Sequence, residues 1–381
     1  MHIEFIDSIN QISAASWNAV AGVDYPFTRH EFLLALELSG ATNRDSGWQP
    51  HHMLIYQEDD VEAPLIAVMP LYLKYHSYGE YVFDWSWADA YRRNGVAYYP
   101  KLLAAIPYTP ATGPRLCSAE GINTEALCPL VSQALQQEAA DCEASSVHIL
   151  FPQLPAMQAF EQAGLTPRRG VQFHWFNDGF ATFDEFLARF SSRKRKNLNK
   201  ERRQVEAQNL QLEVLEGAQI SPELWQRFHH FYQMTYAKRS GHGGYLNLDF
   251  FQRVAETMAE HIVLVMAKHE GQYIAGALNF RDSQSLYGRY WGCLKEFDYL
   301  HFEACYYQGI EYCIEHKLSR FDPGAQGEHK IQRGFTPIET WSNHWVAHQG
   351  FTEAIKLFLT QENKAMFDYL DQAIELLPFK K

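Results

Sequence analysis

Long apolar runs are missing from this sequence of 381 residues. No stretch approaches the roughly 18–20 apolar residues that a membrane-spanning helix needs. The amino-terminal segment Met1–Asp7 also lacks the basic start and the apolar block of a signal peptide. We therefore expect no membrane span and a cytoplasmic location.

Paired cysteine motifs are missing as well. The sequence contains no Cys-x-x-Cys pair, which argues against a zinc site and against a disulfide framework. We expect buried thiols in a reducing compartment and no bound metal. The cysteines are Cys117, Cys128, Cys142, Cys293, Cys305 and Cys313.

An excess of positive charge is the third absence. The formal net charge is −12, which argues against broad binding of nucleic acid. One segment is an exception, because Arg193–Arg203 contains seven cations and a single acid, Glu201. Its apolar residues allow a helix over 191–208 to pack one stripe and turn the cations outward. The segment is either a solvated helical face or an anion clamp for the phosphates of a ligand or an RNA.

The remaining pattern divides into two α/β units of similar order, as the length of the chain also favours. Over residues 48–177 we predict several strands, one of them Tyr78–Trp87, then a helix at 123–143 with Asn123 as its N-cap, a strand, a short helix and a strand. From Thr182 the pattern predicts helices, a hairpin around Glu270-Gly271, a helix, a strand, a polar loop and a final strand.

The polar loop in the second unit, Arg320–Pro337, carries acid, imidazole and cations on a glycine-rich turn. Such a mixture is costly to bury and useful in a site. The alternative is a solvated loop. The position of Arg320–Pro337, directly after a strand of a repeated unit, favours a functional site over a solvated loop.

Several motifs between about Pro26 and Val346 resemble those of FemAB-like proteins, a family of N-acyltransferases built from two GNAT-type domains. No motif is specific alone, but the set is. The motifs are Ser191–Asn197 with Glu201–Arg203, His301–Tyr307, Gly324–Lys330 with Arg333–Phe335, Pro107–Pro110 with Gly113–Leu116, and Gln172–Trp175.

This resemblance implies an α/β fold with mixed sheets, made of two tandem GNAT-like domains. We place the first domain at 1–177, the second at 178–350 including the basic helix, and a C-terminal helical tail at 351–381. The resemblance also implies transfer of an acyl group from acyl-CoA, or of an aminoacyl group from aminoacyl-tRNA, to a small-molecule or peptide amine. Proteins of this kind are often assigned to peptidoglycan biosynthesis, although a fold does not fix a substrate.

Acylation of an amine needs a base, donors to the oxyanion and a cradle for the phosphates of the donor. We expect Glu303 to be the base, because it stands on the first turn of a helix among aromatic residues. His301 and Glu328 are the next candidates for this role. The predicted anion ligands are Lys330, Arg333, Arg193, Arg195 and Lys196. His329 is predicted to orient a partner in the substrate site, and the predicted substrate wall in the first unit is Asp84, Trp87 and Lys101, with Arg92.

The usual GNAT phosphate loop has one literal match, Arg92–Ala97, which we predict to follow a strand without leading into a helix. No glycine-rich loop precedes the helix at Phe302, where the second unit should carry its cradle. This departure puts ordinary coenzyme A binding in doubt and keeps aminoacyl-tRNA open. Two other functions also stay open, an RNA-binding module and an inactive scaffold derived from the GNAT fold.

Overall fold

The structure is a computed structural model that describes residues 1–58, 63–241, 243–325 and 327–380; Gln326, part of one of the motifs above, lies outside this set. The chain forms two compact units, residues 1–171 with 339–369 and residues 172–338 with 370–381. Compared with the predicted boundaries at 177 and 350, residues 172–177 group with the second unit and residues 339–369 group with the first. Among the described helices, none is both long and apolar enough to cross a lipid bilayer.

The first unit combines short strands with helices. Its strands, two of which continue into the second unit, are β1 (His2–Ile6), β2 (Trp48–Pro50), β3 (His52–Tyr56), β4 (Leu65–Met69), β5 (Tyr72–Lys74), β6 (Lys101–Ala104), β7 (Cys117–Ser118), β8 (Ser146–Leu150), β9 (Thr166–Phe176) and, late in the chain, β15 (Thr336–Val346). Its α-helices are α1 (Ala14–Ala21), α2 (His30–Leu38), α3 (Trp85–Arg93), α4 (Thr124–Asp141), α5 (Leu154–Gln162) and α12 (Gln349–Glu375), and 3-10 helices lie at Ile9–Gln11 and Pro26–Thr28.

The strands of the first unit pair in the order β1-β3-β4-β7 and in the order β15-β8-β6-β5-β2. β6 and β8 are parallel, because the long helix α4 returns the chain between them, and their flanking pairs are antiparallel. The predicted cap of α4 is confirmed, since the Asn123 side chain accepts a hydrogen bond from the Ala126 amide. Leu127, Val131 and Leu135 of α4 then pack into the core of the unit.

The predicted strand over Tyr78–Trp87 is wrong. Its first half forms turns, with Tyr81 at φ 62°, and α3 begins at Trp85. The aromatic composition favoured a strand, but preference for β structure depends on the surrounding packing. Here the Asp84 carboxylate, which precedes α3, is bound by the side chains of Lys101 and Tyr98.

The second unit is a mixed sheet flanked by helices. Its strands, besides the end of β9, are β10 (Leu210–Glu216), β11 (Ile262–His269), β12 (Gln272–Arg281), β13 (Ser285–Cys293) and β14 (Arg320–Asp322). Its helices are α6 (Phe183–Ala188), α7 (Ser192–Ala207), α8 (Pro222–Ser240), α9 (Leu248–Thr257), α10 (Leu300–Phe302) and α11 (Gln308–Glu315), with 3-10 helices at Gly217–Gln219, Ala259–His261 and Glu328–Arg333 and a π-helical turn at Glu303–Tyr307.

These strands run in the order β10-β11-β12-β13-β14-β9. The first four form antiparallel pairs, and β13 pairs with β14 in parallel across the helical segment α10–α11. The predicted hairpin is confirmed, since β11 and β12 turn at Glu270 and Gly271, both with positive φ, as a tight hairpin turn requires. Each unit thus contains one parallel pair joined by a helical crossover.

Helix α8 lies directly on strand β13. The contact is at Gly292, where an added Cβ would lie 2.2 Å from the carbonyl carbon of Phe231 in α8. Only glycine permits such an approach between a strand and a helix backbone. This contact holds the part of β13 that follows its last pairing with β14.

Candidate active site

The second unit contains a cavity of about 420 Å³ at the end of its parallel strand pair. β13 and β14 pair over three residues only, Ser285–Tyr287 with Arg320–Asp322. The chain then turns away at Pro323-Gly324, while β13 continues to Cys293. In open α/β sheets, ligands bind in the crevice beyond the carboxyl ends of the strands. The sheet therefore opens at a position where a ligand can enter.

The cavity wall comes from β12, β13, the π-helical turn and the loop after β14. The register between β12 and β13 shifts at Leu278/Asn279, and such bulges re-aim side chains beside active sites. The π-helical turn places Cys305 and Tyr306 on the wall, and π-bulges are frequent at functional sites. The polar and reactive groups of the wall are Arg239, Asn279, Arg289, His301, Cys305, Tyr306, His329 and Lys330.

Two of these groups are buried cations. Arg289 donates to the Asp322 carboxylate at 2.7 Å, and Lys330 donates to the Gly324 carbonyl at 2.5 Å. Burial alone would raise the pKa of Asp322, but the Arg289 charge and the Gly324 amide hold that pKa well below its usual range. Burial lowers the pKa of Lys330 to about 8, and Arg289 adds to this effect while Asp322 opposes it. Lys330 is therefore mostly charged at neutral pH and titrates just above it.

Two imidazoles stand beside these cations. Burial, with the neighbouring charges of Arg239, Lys330 and Arg333, lowers the pKa of His301 to about 3. Burial and the Arg333 and Lys330 charges lower the pKa of His329 to about 4. The His329 Nε2 lies 2.8 Å from the Tyr306 hydroxyl. Both rings are thus neutral at pH 7.

Glu303, the first choice for the base, is buried but lies outside the cavity wall. Its two oxygens accept hydrogen bonds from Arg202 of α7 at 2.9 and 3.1 Å, and Gln308 donates a third at 2.9 Å. Arg202 also pairs with Glu311 at 2.7 Å. The carboxylate of Glu303 is therefore occupied by structural partners, and its role as the base stays a prediction.

Glu328 and Arg333 belong to the 3-10 helix after the cavity loop. Arg333 pairs with Glu201 at 2.9 Å, donates to the His329 carbonyl at 2.8 Å and lies 3.4 Å from the centre of the Phe302 ring. It therefore ties the loop to α7 and the crossover helix. Glu328 is exposed at the start of this helix. Of the residues predicted for this region, the cavity brings together His301, His329 and Lys330.

The predicted substrate wall of the first unit is a buried ion network. Lys101 donates to Glu80 at 2.8 Å, to Ser77 at 3.0 Å and to Asp84. Tyr98 donates to Asp84 at 2.6 Å. The Trp87 ring packs edge-on against His344 at 5.1 Å. Lys101 and Tyr98 therefore both bind one oxygen of Asp84, Oδ2, and contact with a substrate stays a prediction.

The literal phosphate-loop match Arg92–Ala97 was expected to follow a strand, but its first two residues form the end of helix α3. Its Arg92 is exposed and pairs with Asp89. The carboxyl end of a helix carries partial negative charge and is unfavourable for phosphate. This segment is therefore not a phosphate cradle.

The basic helix is confirmed as α7, and five of its seven cations fall into two groups. Lys194 donates a hydrogen bond to Gln332. Arg202 pairs with Glu303 and Glu311 of the helical crossover. Arg193 and Lys196 are exposed and Arg195 is half-buried, and in the described part of the chain no acid pairs with them. This second group forms the free basic face of α7.

Arg289 and Tyr306 were not predicted as site residues. Arg289 lies among aromatics in Tyr287-Gly288-Arg289-Tyr290-Trp291. A lone cation in such a strand is a signal, because an unpaired charge is costly to bury. Tyr306 carried no signal apart from the aromatic content around Glu303.

Solved structures identify the fold. FemX aligns over 93% of this chain and 100% of its own at 14% identity, with a TM-score of 0.53. L-PGS from Bacillus licheniformis aligns over 87% of this chain and 96% of its own at 12% identity, with a TM-score of 0.52. The fold is the predicted one, tandem GNAT-like domains with mixed α/β sheets.

The family follows from the sequence match. Residues 8–381 match the FemAB-like family, which is described as peptidoglycan biosynthesis/recognition, and the chain belongs to this family. None of the curated proteins matches the chain significantly. Family and fold together support acyl or aminoacyl transfer in general.

Proposed function

We propose that this protein transfers an aminoacyl group to an amine, and that transfer takes place in the cavity of the second unit. The observation that carries the proposal is the composition of the cavity wall. It combines the buried cations Arg289 and Lys330 with the neutral imidazoles His301 and His329. A neutral base beside fixed positive charge is what acylation of an amine needs.

The reaction begins when the amine loses its ammonium proton. Of the three predicted bases, His301 is the one on the cavity wall. Its pKa is low because of burial and nearby cations, and the negative charge of a bound donor would raise that pKa. The free amine then attacks the ester carbonyl of the donor and forms the C–N bond.

The oxyanion that forms on the carbonyl is stabilised by positive charge. Of the two buried cations, Lys330 is better suited to stabilise the oxyanion, because its ammonium group is a compact charge whose N–H donors can rotate. Collapse of the intermediate breaks the C–O bond, and the leaving alkoxide takes up the proton that the attacking nitrogen loses on becoming an amide, which restores the hydroxyl of the donor. Arg289, held by Asp322 at 2.7 Å, keeps its guanidinium at a fixed position in the cavity wall throughout.

The donor that the local structure supports is aminoacyl-tRNA rather than acyl-CoA. The loop between β13 and α10 occupies the place of a phosphate cradle, but it carries Glu296 and Asp298. The Asp298 amide is already bonded to Gln208, at 3.2 Å. Acids and occupied amides disfavour a pyrophosphate. The free basic face of α7 supplies cations for an RNA backbone instead.

A transfer assay with the full-length chain tests this function. Charged tRNA and acyl-CoA are offered separately with a panel of amines, and products are identified by mass spectrometry. We expect transfer from aminoacyl-tRNA and, in Lys330→Met, a loss of about 100-fold in rate, the scale of losing one oxyanion donor. Lys356→Met, at an exposed position of α12, is the matched control. Full activity of Lys330→Met would contradict the proposed site, and transfer from acyl-CoA alone would contradict the donor.

The role of α7 is tested by tRNA binding as a function of salt. Replacement of Arg193, Arg195 and Lys196 by alanine should weaken binding and lower the salt slope by about 2–3, at about one per phosphate contact. Arg227, Lys356 and Lys364 are exposed and give a matched triple control. An unchanged slope would contradict the assignment. Binding of tRNA with no transfer would favour the alternative of an RNA-binding module.

A further inference from the structure

The first unit contains a cluster of metal-ligating side chains that the sequence pattern does not show. His51 Nε2, a Glu138 oxygen and Cys142 Sγ all lie within 4.8 Å of one another. We call these three residues the His51 cluster. We propose that the His51 cluster binds a single Zn²⁺ ion, contrary to the expectation of no metal.

Local structure brings the three groups together. Glu138 and Cys142 lie four residues apart at the end of α4, so they share one face of the helix. His51 lies between β2 and β3, and its amide donates to the Leu71 carbonyl at 2.9 Å. The side chain of His51 is 11% exposed and that of Glu138 17%. A bound ion would therefore be partly shielded but reachable from solvent.

The distances are close to those of a zinc site. His51 Nε2 is 2.7 Å from Glu138 Oε1 and 3.9 Å from Cys142 Sγ, and the sulfur is 3.2 Å from Glu138 Oε1. Tetrahedral zinc with bonds of about 2.0–2.3 Å holds such atoms about 3.4–3.6 Å apart. Shifts of less than about 1 Å per pair reach that geometry, and the fourth position is left to water.

The contacts of His51 place its second ring nitrogen against the Glu138 carboxylate. The ring Nδ1 lies 3.0 Å from Asp7 Oδ1, a distance at which an Nδ1–H group donates to the carboxylate. Nε2 then directs a lone pair at the Glu138 oxygen. Two electron pairs at 2.7 Å repel unless a proton or a metal ion lies between them. Cys142, as a thiolate, adds a third ligand that a proton alone does not need.

Asp7 gives the histidine its orientation. Metal-bound histidines usually donate their other ring N–H to a carboxylate, which fixes the tautomer and strengthens the ligand. The Phe5 ring also stacks on His51, with centroids 5.2 Å apart and planes 7° apart. Both contacts hold the imidazole plane so that Nε2 faces Glu138 and Cys142.

The ligand set selects zinc among the common divalent ions. Thiolate and imidazole are poor ligands for Mg²⁺ and Ca²⁺ and good ligands for Zn²⁺. Cys142, His51 and Asp7 also resemble a thiol nucleophile with its base and orienting acid. Glu138 disfavours that use, because its carboxylate beside the sulfur repels a thiolate, whereas the same carboxylate favours a cation. Zinc binding would release the Cys142 thiol proton, and any second proton of His51, to solvent.

Metal titration of the chelator-treated, full-length chain tests this site. We expect one Zn²⁺ ion per chain and, with Co²⁺ as the probe, a sulfur-to-cobalt charge-transfer band. Cys142→Ser should abolish the band and weaken zinc binding at least tenfold. Asp7→Asn should weaken zinc binding about 10- to 100-fold, as for other outer-shell partners. Cys293→Ser, at a half-buried cysteine of the second unit, is the matched control.

Three results would overturn the proposal. The first is the absence of the charge-transfer band in the wild-type chain, a measurement that needs no variant to fold. The second is unchanged zinc affinity in both Cys142→Ser and Glu138→Gln. The third is rapid alkylation of Cys142 by iodoacetamide that zinc does not slow, which would identify a free nucleophile instead.

Discussion

Arg289 and Asp322 form an ion pair of 2.7 Å at the point where the parallel strands β13 and β14 separate. The two side chains are 2% and 1% exposed. Asp322 also accepts from the Gly324 amide at 2.9 Å, so one carboxylate fixes both the end of β14 and the loop after it. The pair therefore determines the shape of the cavity and keeps the Arg289 guanidinium in place.

Asp322→Asn should destabilise the second unit by about 3–5 kcal/mol, because it leaves the buried Arg289 charge uncompensated. Asp322 has a lowered pKa in the folded state. Its contribution is therefore present above the unfolded-state pKa of about 3.9 and is lost as the pH falls below that value. Urea unfolding at neutral pH measures the difference.

Asp178→Asn is the matched control for this prediction. Asp178 pairs with Arg189 at 3.0 Å, but the two side chains are 59% and 52% exposed. Its loss should cost about 1 kcal/mol or less. Equal effects of the two substitutions would show that the buried ion pair contributes no more to the free energy of unfolding than the exposed one.

His301→Asn and Glu303→Gln separate two of the three candidate bases. We expect His301→Asn to lower kcat by about 100-fold with little change in stability, because general-base catalysis contributes about 10²–10⁴-fold. Glu303→Gln should mainly lower stability, because it removes one of the two carboxylates that pair with Arg202. Steady-state kinetics and thermal unfolding of both variants give the comparison. Loss of activity in Glu303→Gln at unchanged stability would instead establish Glu303 as the base.

Lys330 should set an alkaline limit on activity. Its pKa is lowered to about 8, mainly by burial, so its positive charge is present below that pH and is lost above it. The rate should therefore fall as the pH rises through about 8. Lys330→Arg keeps its charge at high pH, and this variant should lose the alkaline fall even if its maximal rate is lower. A wild-type rate that is level from pH 7 to pH 10 would contradict the prediction.

The His148–His344 pair should make the first unit sensitive to acid. Their Nδ1 atoms lie 2.6 Å apart between β8 and β15. Burial, with the charge of Lys101, lowers the pKa of His148 to about 3, and burial lowers the pKa of His344 as well. Stability is then present above the unfolded-state pKa of about 6.5 and falls below it, by about 2 kcal/mol per histidine at pH 5.

Urea unfolding at pH 7 and pH 5 tests this acid sensitivity. His148→Gln should show a smaller loss between the two pH values than the wild-type chain. His230→Gln, at an exposed position of α8, should show the wild-type loss. An equal loss in His148→Gln and the wild type would assign the acid sensitivity to other groups.

Most elements could be predicted from local sequence. The Glu270-Gly271 turn, the Asn123 cap and the basic helix all depend on residues within a few positions of one another, and each prediction is confirmed. The strand predicted at Tyr78–Trp87 failed because its conformation depends on Lys101, which comes later in the chain. Composition favours strands for aromatics, but a buried carboxylate with distant partners decides the outcome there.

The candidate site could be predicted only in part. His301, His329 and Lys330 stand in short polar motifs, and all three line the cavity. Glu303 belongs to the same motif, but its carboxylate faces Arg202 of α7, about a hundred positions away in sequence. The spacing within a motif does not say which distant charge will meet a side chain.

The sequence by itself determined the family and the order of the two units. It also located two candidate functional segments, a positively charged helix in an acidic chain and a polar loop after a strand. Only the tertiary structure decided which groups meet. It paired Arg289 with Asp322, withdrew Glu303 from the cavity and brought His51 to Glu138 and Cys142. The physical reason is that helices and turns form from local hydrogen bonds, whereas buried charges are satisfied by partners that only the folded chain supplies.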